Sequence, residues 1–304
     1  MGQAIYGFVG LGNMGRPMAL NILRAGHDLV VHDPNDDAVA ELVRAGARHA
    51  SSVAELGAEA DAVFLSLPTP EVVRQVCLGD GGLSAAKRTR IIVDLSTTGS
   101  ETEAQVAAGL AAKGKILVDC PVSGGVSGAE AGRLALMAAG EAEAVEALRP
   151  VLELLGKLFV VGTEPGMGQS MKVINNLMST TALTISSEAL VLGVKCGLDP
   201  DRMIEVLNAG SGRNSATERK IPDNVLPRSF DFGFAIGLSA KDARLCIEEA
   251  ERRGVDMKVG RAVQQVLNAT RDTLGADADL TTVIKLVEAQ AGVEVRGAAA
   301  GEGK

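Results

Sequence analysis

Three polar side chains recur at helical spacing within one apolar segment of the chain: Lys172, Asn176 and Ser179. From Gln169 to Leu192 there is neither Pro nor Gly, and apolar residues return every three or four positions, which predicts one long helix. The three polar residues then share a helix face that carries a cation, an amide and a hydroxyl. Burying an unpaired ammonium group is costly and lowers its pKa. Lys172 must therefore either extend outward to solvent or meet partners in a cleft, and we expect this face to border a site; the alternative is an ordinary surface lysine.

Most of the remaining surface of this helix is expected to be buried, because its apolar positions follow the helical repeat. They are Met171, Ile174, Leu177, Met178, Ala182, Ile185 and Ala189. The helix would thus belong to the protein core and present one polar stripe to a cleft.

A second pattern, near the N-terminus, is suited to binding phosphate groups. A glycine-rich turn lies between a strand-like run, 4–9, and a helical pattern, 16–25. The turn consists of Gly10, Leu11, Gly12, Asn13, Met14 and Gly15. Strand, glycine-rich turn and helix in this order form the dinucleotide-binding motif, with the pyrophosphate at the helix N-terminus. Gly10 would permit the tight turn, Gly12 the close approach of the pyrophosphate, and Gly15 the packing of the helix on the strand.

Asp33 follows the next strand-like run, 28–31, at about the distance from the glycines at which dinucleotide-binding domains place an acidic residue. Its carboxylate would accept hydrogen bonds from the adenosine ribose hydroxyls and repel a 2′-phosphate. The next residues, Pro34 to Asp37, include no Arg to hold that phosphate. The sequence therefore predicts NAD in preference to NADP, and a turn or helix-cap role for Asp33 stays open.

The elements that must position these residues alternate between strand-like and helical segments as far as residue 163. The further strand-like runs are 62–67, 91–94, 115–120, 134–139 and 158–161. Such alternation predicts a doubly wound, mostly parallel sheet of the Rossmann type. Ligands of these sheets bind at the carboxyl ends of the strands. Leu67, Pro68 and Thr97 follow two of the strands and are therefore candidates for contacts to the nicotinamide half of the cofactor; capping and turning are their alternative roles.

Helix starts are indicated by short polar signals. Thr69-Pro70 and Asp199-Pro200 each place Pro at a first helical position. The stretches 52–55 and 100–103 are interpreted as capping boxes. The signals support the division into helices and strands on which the predicted fold depends.

A loop rich in glycine and serine, 121–128, follows the strand that ends at Cys120. Gly124 and Gly125 can expose consecutive N–H groups, and Ser123 adds a hydroxyl. The loop is chemically suited to hold a carboxylate, and a flexible connection is the alternative.

Beyond the long helix the chain is predicted to be entirely helical, with an irregular stretch at 210–234. We expect a dinucleotide-binding domain at 1–163, an all-α substrate and oligomerisation domain at 164–296, and a disordered tail at 297–304. The fold class is therefore α/β, with a Rossmann-type sheet joined to an all-α C-terminal domain by a long interdomain helix.

The composition narrows the classes of ligand. The 304 residues carry a net charge of −8 and include no Trp and one Tyr, which argues against nucleic acid and anionic membranes as partners. The four cysteines form no C-x-x-C pair and the three histidines no cluster, so no metal site is expected. No signal segment or apolar stretch of membrane-spanning length is expected, and a reduced cytoplasmic location fits best. A small molecule is the expected partner.

The glycine-rich turn extends into a longer signature, 8–21, which resembles the N-terminal signature of the β-hydroxyacid dehydrogenase family. That family includes 3-hydroxyisobutyrate dehydrogenases and tartronate semialdehyde reductases. The segment 119–125 is similar to the family's substrate loop, 172–176 to its catalytic segment, and Lys241-Asp242 to a Lys-Asp pair that opens a late helix. The resemblance covers nearly the whole chain.

The resemblance implies a role for each of these positions. Lys172 would be the general acid/base, and Asn176 would orient the substrate and the lysine. The implied carboxylate-binding residues are Ser123, Gly124 and Gly125. The implied cofactor contacts are Leu67, Pro68, Thr97 and Lys241. The implied assembly is a homodimer or homotetramer formed through the helical domain.

The reaction implied is hydride transfer between NAD and the β-hydroxyl carbon of a short 3-hydroxy acid, or the reverse reduction of a semialdehyde. A dinucleotide-binding or interaction module without turnover is the alternative from another class. The identity of the 3-hydroxy acid stays open. Arg213, Arg219 or Lys220 could meet a second carboxylate of a diacid substrate.

Overall fold

The computed structural model describes residues 4–298 and residue 300, and the chain divides into two compact units, 1–172 and 173–304. The division falls inside one continuous helix, whereas the sequence places the boundary at 163/164. The first residues of that helix group with the first unit because they are hydrogen bonded to the ends of its strands.

The first unit contains nine strands within its described residues. They are β1 Ile5–Val9, β2 Asp28–His32, β3 Arg48–His49, β4 Ala62–Leu65, β5 Ile91–Asp94, β6 Ile116–Asp119, β7 Val122–Ser123, β8 Leu134–Ala139 and β9 Gly156–Gly162. They form one sheet of order β3-β2-β1-β4-β5-β6-β8-β7, and β9 pairs with β8. Strands β1 to β6 are parallel, while β8 is antiparallel to β6 and β7. The predicted Rossmann-type sheet is confirmed, and the sequence analysis missed only the two-residue strands β3 and β7.

Helices pack on both faces of this sheet. They are α1 Gly15–Arg24, α2 Asp36–Arg44, α3 Val53–Glu59, α4 Pro70–Leu78, α5 Ser100–Ala111, α6 Gly125–Glu130 and α7 Ala142–Leu152. Successive strand residues point to opposite faces. Phe8 therefore packs in one buried cluster with Met18 of α1, while Val9 packs in another with Leu56 of α3 and Val73 of α4.

All four helix-start signals stand at the start of a helix, and in three of them the predicted residue is the N-cap. Thr69 caps α4 by accepting a hydrogen bond from Val72 N, and Ser52 and Asp199 cap their helices in the same way. The interpretation of 100–103 as a capping box is wrong. Gly99 is the N-cap, and the Glu103 side chain accepts a hydrogen bond from Thr98 Oγ1 instead of returning to the backbone.

Within its described residues, the regular elements of the second unit are all helices, with no strands. After α8 Met167–Lys195, which begins in the first unit, come α9 Pro200–Ala209, a π-helical segment Ala216–Val225, α10 Ile236–Arg252, α11 Lys258–Leu274, a 3₁₀ turn Leu280–Val283 and α12 Ile284–Ala291. The π-helix corrects the expectation that 210–234 is irregular. Its wider i→i+5 turns do not give the 3.6-residue repeat by which helices are predicted.

Helix α8 is less buried than its apolar pattern indicates. Met171, Ile174, Met178 and Ile185 lie on its exposed face, Met178 with 70% of its surface accessible. The helix is also long and apolar enough, by length and composition, to cross a membrane, and half of its most apolar window is buried in the protein. The expectation that no stretch reaches this length is therefore wrong. Exposed apolar positions recur at the same spacing as buried ones, so periodicity alone did not separate the two.

The described part of the predicted tail makes specific contacts. Gly297 N donates a hydrogen bond to Leu226 O, Ala298 N donates to the Asp201 carboxylate, and Ala300 is buried. Residues 299 and 301–304 of that predicted disordered tail lie outside the described residues.

Candidate active site

The glycine-rich turn between β1 and α1 has the geometry that a bound pyrophosphate requires. Gly10 has a φ of +93°, and a Cβ at this position would lie 2.3 Å from Ser66 O, so no other residue fits. A Cβ on Gly12 would meet no atom within 4 Å, which leaves this backbone open to a ligand. Among the described residues no side chain caps the N-terminus of α1. The helix dipole there, with no described side chain over the helix end, fits a phosphate group.

Asp33 lies beside this turn. Its Oδ2 accepts a hydrogen bond of 2.6 Å from Leu11 N, and its Oδ1 accepts one of 2.7 Å from Asn35 N. A carboxylate has about four lone-pair positions, so two backbone donors leave room for ribose hydroxyls. Asp33 thus fits both of its predicted roles, in the turn and toward a ribose. Asn35, rather than Asp33, caps α2.

Ser96 joins the two loops that were predicted to approach the nicotinamide. Its Oγ accepts a hydrogen bond of 2.8 Å from Leu67 N, and its backbone N–H donates to Asp94 Oδ1 at 2.9 Å. The structure therefore brings the segments of Leu67-Pro68 and Thr97 together at the carboxyl ends of β4 and β5. Sequence reasoning gave Ser96 no role of its own.

Gln169, in the first turn of α8, is the centre of a buried hydrogen-bond network that sequence reasoning missed. Its Nε2 donates to Ser96 O at 3.1 Å and to Asp119 Oδ1 at 2.9 Å. Its Oε1 accepts from Thr98 N at 2.9 Å and from Gly99 N at 3.3 Å. The amide group uses its full hydrogen-bonding capacity, and it ties the loop after β5 and the end of β6 to the helix that carries Lys172.

Asp119 fixes the start of this helix. Its Oδ2 accepts hydrogen bonds from Gly166 N at 2.8 Å and from Gln169 N at 3.1 Å, as an N-cap would. A Cβ on Gly168 would lie 2.4 Å from Met137 O and 2.9 Å from Asp119 Oδ2, so glycine is needed for this close approach. The beginning of α8 is thus fastened to the carboxyl end of β6.

The carboxyl groups near this anchor are strongly perturbed. Burial raises the pKa of Asp119 to about 7, although the N–H groups of Gln169 and Gly166 favour its charged form. Burial, followed by the charges of Asp94 and Asp119, raises the pKa of Glu103 well above its usual range. A hydrogen bond with the Asp94 side chain also raises the pKa of Glu103 and favours its protonated form. Perturbed acids of this kind are frequent near active sites.

The loop after β6 presents the residues predicted to bind a carboxylate. Ser123 ends β7, where it pairs with Ala135 of β8. Gly124 and Gly125 follow with exposed backbones. Asn21 Nδ2 donates a hydrogen bond of 2.8 Å to Ala129 O and so connects α1 to the short helix after the loop. The exposed N–H groups and hydroxyl match the expected chemistry.

Lys172 is the last residue of the first unit, one turn beyond Gly168 along α8, and only 8% of its surface is accessible. The surface-lysine alternative is therefore excluded. A buried lysine on a fixed helix start is well suited to hold and release a proton.

In the second unit, Asn176 and Lys241 meet at one carboxylate. Asn176 Nδ2 donates a hydrogen bond of 2.7 Å to Asp242 Oδ2, and Lys241 Nζ lies 3.2 Å from Asp242 Oδ1. Asp242, buried on α10, thus orients the amide that follows Lys172 by one turn. Sequence reasoning quoted the Lys-Asp pair without giving Asp242 a role. The pair lies in the second turn of α10 and not at its start.

No group of three or more His, Cys, Asp or Glu among the described residues could hold a metal ion. The buried thiols of Cys77 and Cys120 have their pKa values raised well above the usual range, mainly by burial.

A dinucleotide-binding sheet, an acidic residue beside its glycine turn and a buried lysine on the following helix define the class of a nicotinamide-dependent oxidoreductase. Two family models match the chain: the NAD binding domain of 6-phosphogluconate dehydrogenase over residues 5–163, and the NAD-binding domain of NADP-dependent 3-hydroxyisobutyrate dehydrogenase over residues 166–287. The chain belongs to the β-hydroxyacid dehydrogenase family. It is an NAD(P)-dependent dehydrogenase or reductase of the 3-hydroxyacid type.

Individual relatives align over nearly the full length of the chain. A 2-(hydroxymethyl)glutarate dehydrogenase from Eubacterium barkeri is 38% identical over 96% of this chain and 97% of its own. A 3-hydroxyisobutyrate dehydrogenase from Pseudomonas aeruginosa is 38% identical over 92% of this chain and 97% of its own. The structure of a Mycobacterium tuberculosis 3-hydroxyisobutyrate dehydrogenase with L-serine superposes with a TM-score of 0.85 at 32% identity, covering 94% and 99% of the two chains.

Proposed function

We propose that this enzyme oxidises the β-hydroxyl of a short 3-hydroxy acid with NAD, or reduces the corresponding semialdehyde, and that Lys172 is its general acid/base. The observation that carries the proposal is the burial of Lys172 on a helix whose start is hydrogen bonded to Asp119 at the carboxyl end of β6. Proton transfer depends on placing the exchanging group within hydrogen-bond reach of the substrate hydroxyl, and this anchor restricts where Lys172 can lie.

Different residues carry out proton transfer, substrate positioning and carboxylate binding. A nicotinamide held at this site would supply the hydride acceptor for the carbinol carbon during oxidation. Lys172 takes the hydroxyl proton, and it returns a proton to the carbonyl oxygen during reduction. Asn176, oriented by Asp242, positions the substrate and the lysine. The N–H groups and hydroxyl of the 123–125 loop bind the carboxylate.

The proposed cofactor contacts follow the two ends of the dinucleotide. The turn from Gly10 to Gly15 binds the pyrophosphate, and Asp33 binds the adenosine ribose. Leu67, Pro68, Thr97 and Lys241 contact the nicotinamide half. NAD is preferred because a 2′-phosphate would meet the Asp33 carboxylate.

Replacing Asp33 with Asn tests this cofactor preference. The variant loses the negative charge that opposes a 2′-phosphate, so the ratio of kcat/KM for NAD to that for NADP should fall by about 10-fold. Asp36→Asn, an exposed change in the first turn of α2, is the matched control and should leave the ratio unaltered. An equal ratio in the Asp33 variant and the wild type would assign the preference to other residues.

The reaction itself is tested with a panel of 3-hydroxy acids. The relatives' names point to 3-hydroxyisobutyrate, 2-(hydroxymethyl)glutarate and L-serine as first members, with 3-hydroxypropionate and glycerate added. NAD reduction at alkaline pH, followed at the nicotinamide absorbance, should show turnover of one or a few members. Binding of NAD without turnover of any acid, or of any semialdehyde in the reverse direction, would favour a dinucleotide-binding module without catalysis.

We further propose a homodimer or homotetramer that forms through the helical unit and is located in the cytoplasm. The exposed apolar face of α8, which includes Ile174, Met178 and Ile185, supports self-association, since apolar patches on surfaces commonly mark interfaces. The molar mass in solution, from light scattering, decides between these states.

A further inference from the structure

Lys220, in the π-helical segment Ala216–Val225, is a buried cation that the reaction described above does not use. Its residue surface is 6% accessible, and within the described part of the chain it forms no ion pair. Its Nζ donates a hydrogen bond of 2.7 Å to Ser179 Oγ and lies 5.5 Å from the centre of the Phe232 ring. A buried ammonium group is normally matched by an anion, because one hydroxyl and an aromatic face offset little of its desolvation.

Burial alone lowers the pKa of Lys220 to about 8, so the group is still largely protonated at neutral pH. An ammonium group has three N–H donors, and Ser179 accepts one of them. Among the described residues, the structure gives the other two donors no hydrogen-bond acceptor. Short π-helical segments inside helical proteins frequently lie at functional sites, which agrees with this location.

The neighbouring cations of the same stretch are placed differently. The side chain of Arg213 is 65% accessible and faces Glu218 at 3.6 Å, while that of Arg219 is 78% accessible and faces Asp223 at 3.9 Å. Both are ordinary surface ion pairs. Of the three residues that the sequence left open as partners of a second carboxylate, only Lys220 is buried without a carboxylate.

Ser179 connects Lys220 to the polar face of α8. Lys172, Asn176 and Ser179 lie within about 60° of one another around the helix, and Ser179 is about 10 Å farther along its axis than Lys172. The amide of Asn176 lies between them. A substrate that places its hydroxyl at Lys172 and extends along this face would bring its far end to Ser179 and Lys220.

We propose that Lys220, with Ser179, binds a second carboxylate of the substrate, so that the enzyme acts preferentially on 3-hydroxy dicarboxylic acids. The proposal rests on the function proposed above and specifies its substrate class. Both members of this second carboxylate site, Lys220 and Ser179, belong to the second unit.

The first test compares a diacid with a monoacid of the same reacting group. For 2-(hydroxymethyl)glutarate and 3-hydroxyisobutyrate, the ratio of kcat/KM measures the preference for a second carboxylate. In Lys220→Met this ratio should fall by about 10-fold or more, chiefly through KM of the diacid. Arg219→Met, a change at the adjacent exposed cation, is the matched control and should keep the wild-type ratio. The same ratio in Lys220→Met and the wild type overturns the proposal.

The second test does not depend on turnover. Glutarate and butyrate lack the reacting hydroxyl and differ by one carboxylate, so calorimetric titration of the NAD complex reports the binding contribution of that group alone. The wild type should bind glutarate at least about 10-fold more tightly than butyrate, and Lys220→Met should lose this difference. A wild type that binds both acids equally overturns the proposal. If no acid is turned over but glutarate binding depends on Lys220, the result contradicts the proposed reaction and still supports a carboxylate-binding site at Lys220.

Discussion

Replacing Lys172 with Met is expected to lower kcat by about 10² to 10⁴ while the dissociation constant for NADH stays unchanged. Met has nearly the length of Lys but cannot accept the proton that leaves the substrate hydroxyl. Initial rates, together with NADH titrations, measure both quantities.

The matched control for this change lies on the same helix. Lys195 is the exposed last residue of α8, and Lys195→Met should retain the wild-type kcat. If Lys172→Met also keeps its rate, a different group moves the proton and the proposed role of Lys172 is wrong. If the Met variant loses NADH binding as well, the effect is structural and not catalytic.

Gln169→Leu is expected to destabilise the protein by more than about 3 kcal/mol, although Leu fills nearly the same volume. The change leaves four buried polar groups without their partner: Ser96 O, Asp119 Oδ1, Thr98 N and Gly99 N. Each unsatisfied buried group costs about 1–3 kcal/mol, and relaxation recovers part of the sum. Denaturant unfolding measures the loss, and far-UV circular dichroism is the appropriate probe because the chain has no Trp.

The comparison for this variant is Gln105→Leu on α5. Gln105 is exposed, and among the described residues its side chain is hydrogen bonded only to Glu101, at 3.4 Å. Its replacement should therefore alter the unfolding free energy by no more than about 0.5 kcal/mol. Equal denaturation midpoints for the two variants would show that the buried network contributes little to stability.

The parts of the molecule that depend on local order in the sequence could be predicted. The turn at Gly10 and the bounds of β5 and β8 follow from neighbouring residues, and the structure has them where the sequence places them. The position of Asp33 beside the glycine-rich turn could be predicted because one βαβ unit fixes its separation from that turn.

The parts that depend on distant partners could not be predicted. Gln169 is 71 positions from Thr98 and 50 from Asp119, and Asn176 is 66 from Asp242. No spacing rule connects such residues, because the fold and not the local chain brings them together. The exposed apolar face of α8 was predicted to be buried for a related reason. Hydrophobic periodicity shows that a helix has an apolar face, but it does not show what covers that face.

The network around Asp119 determines where the protein could be divided into autonomous fragments. A fragment ending at residue 163 would contain the whole dinucleotide-binding sheet but would lack Gly166 and Gln169, the donors to Asp119. It would also leave the buried backbone N–H groups of Thr98 and Gly99 without their acceptor, Gln169 Oε1. The smallest fragment able to fold by itself therefore extends into α8, past Gln169. Lys172 belongs to this same nucleotide-binding unit, as its last residue.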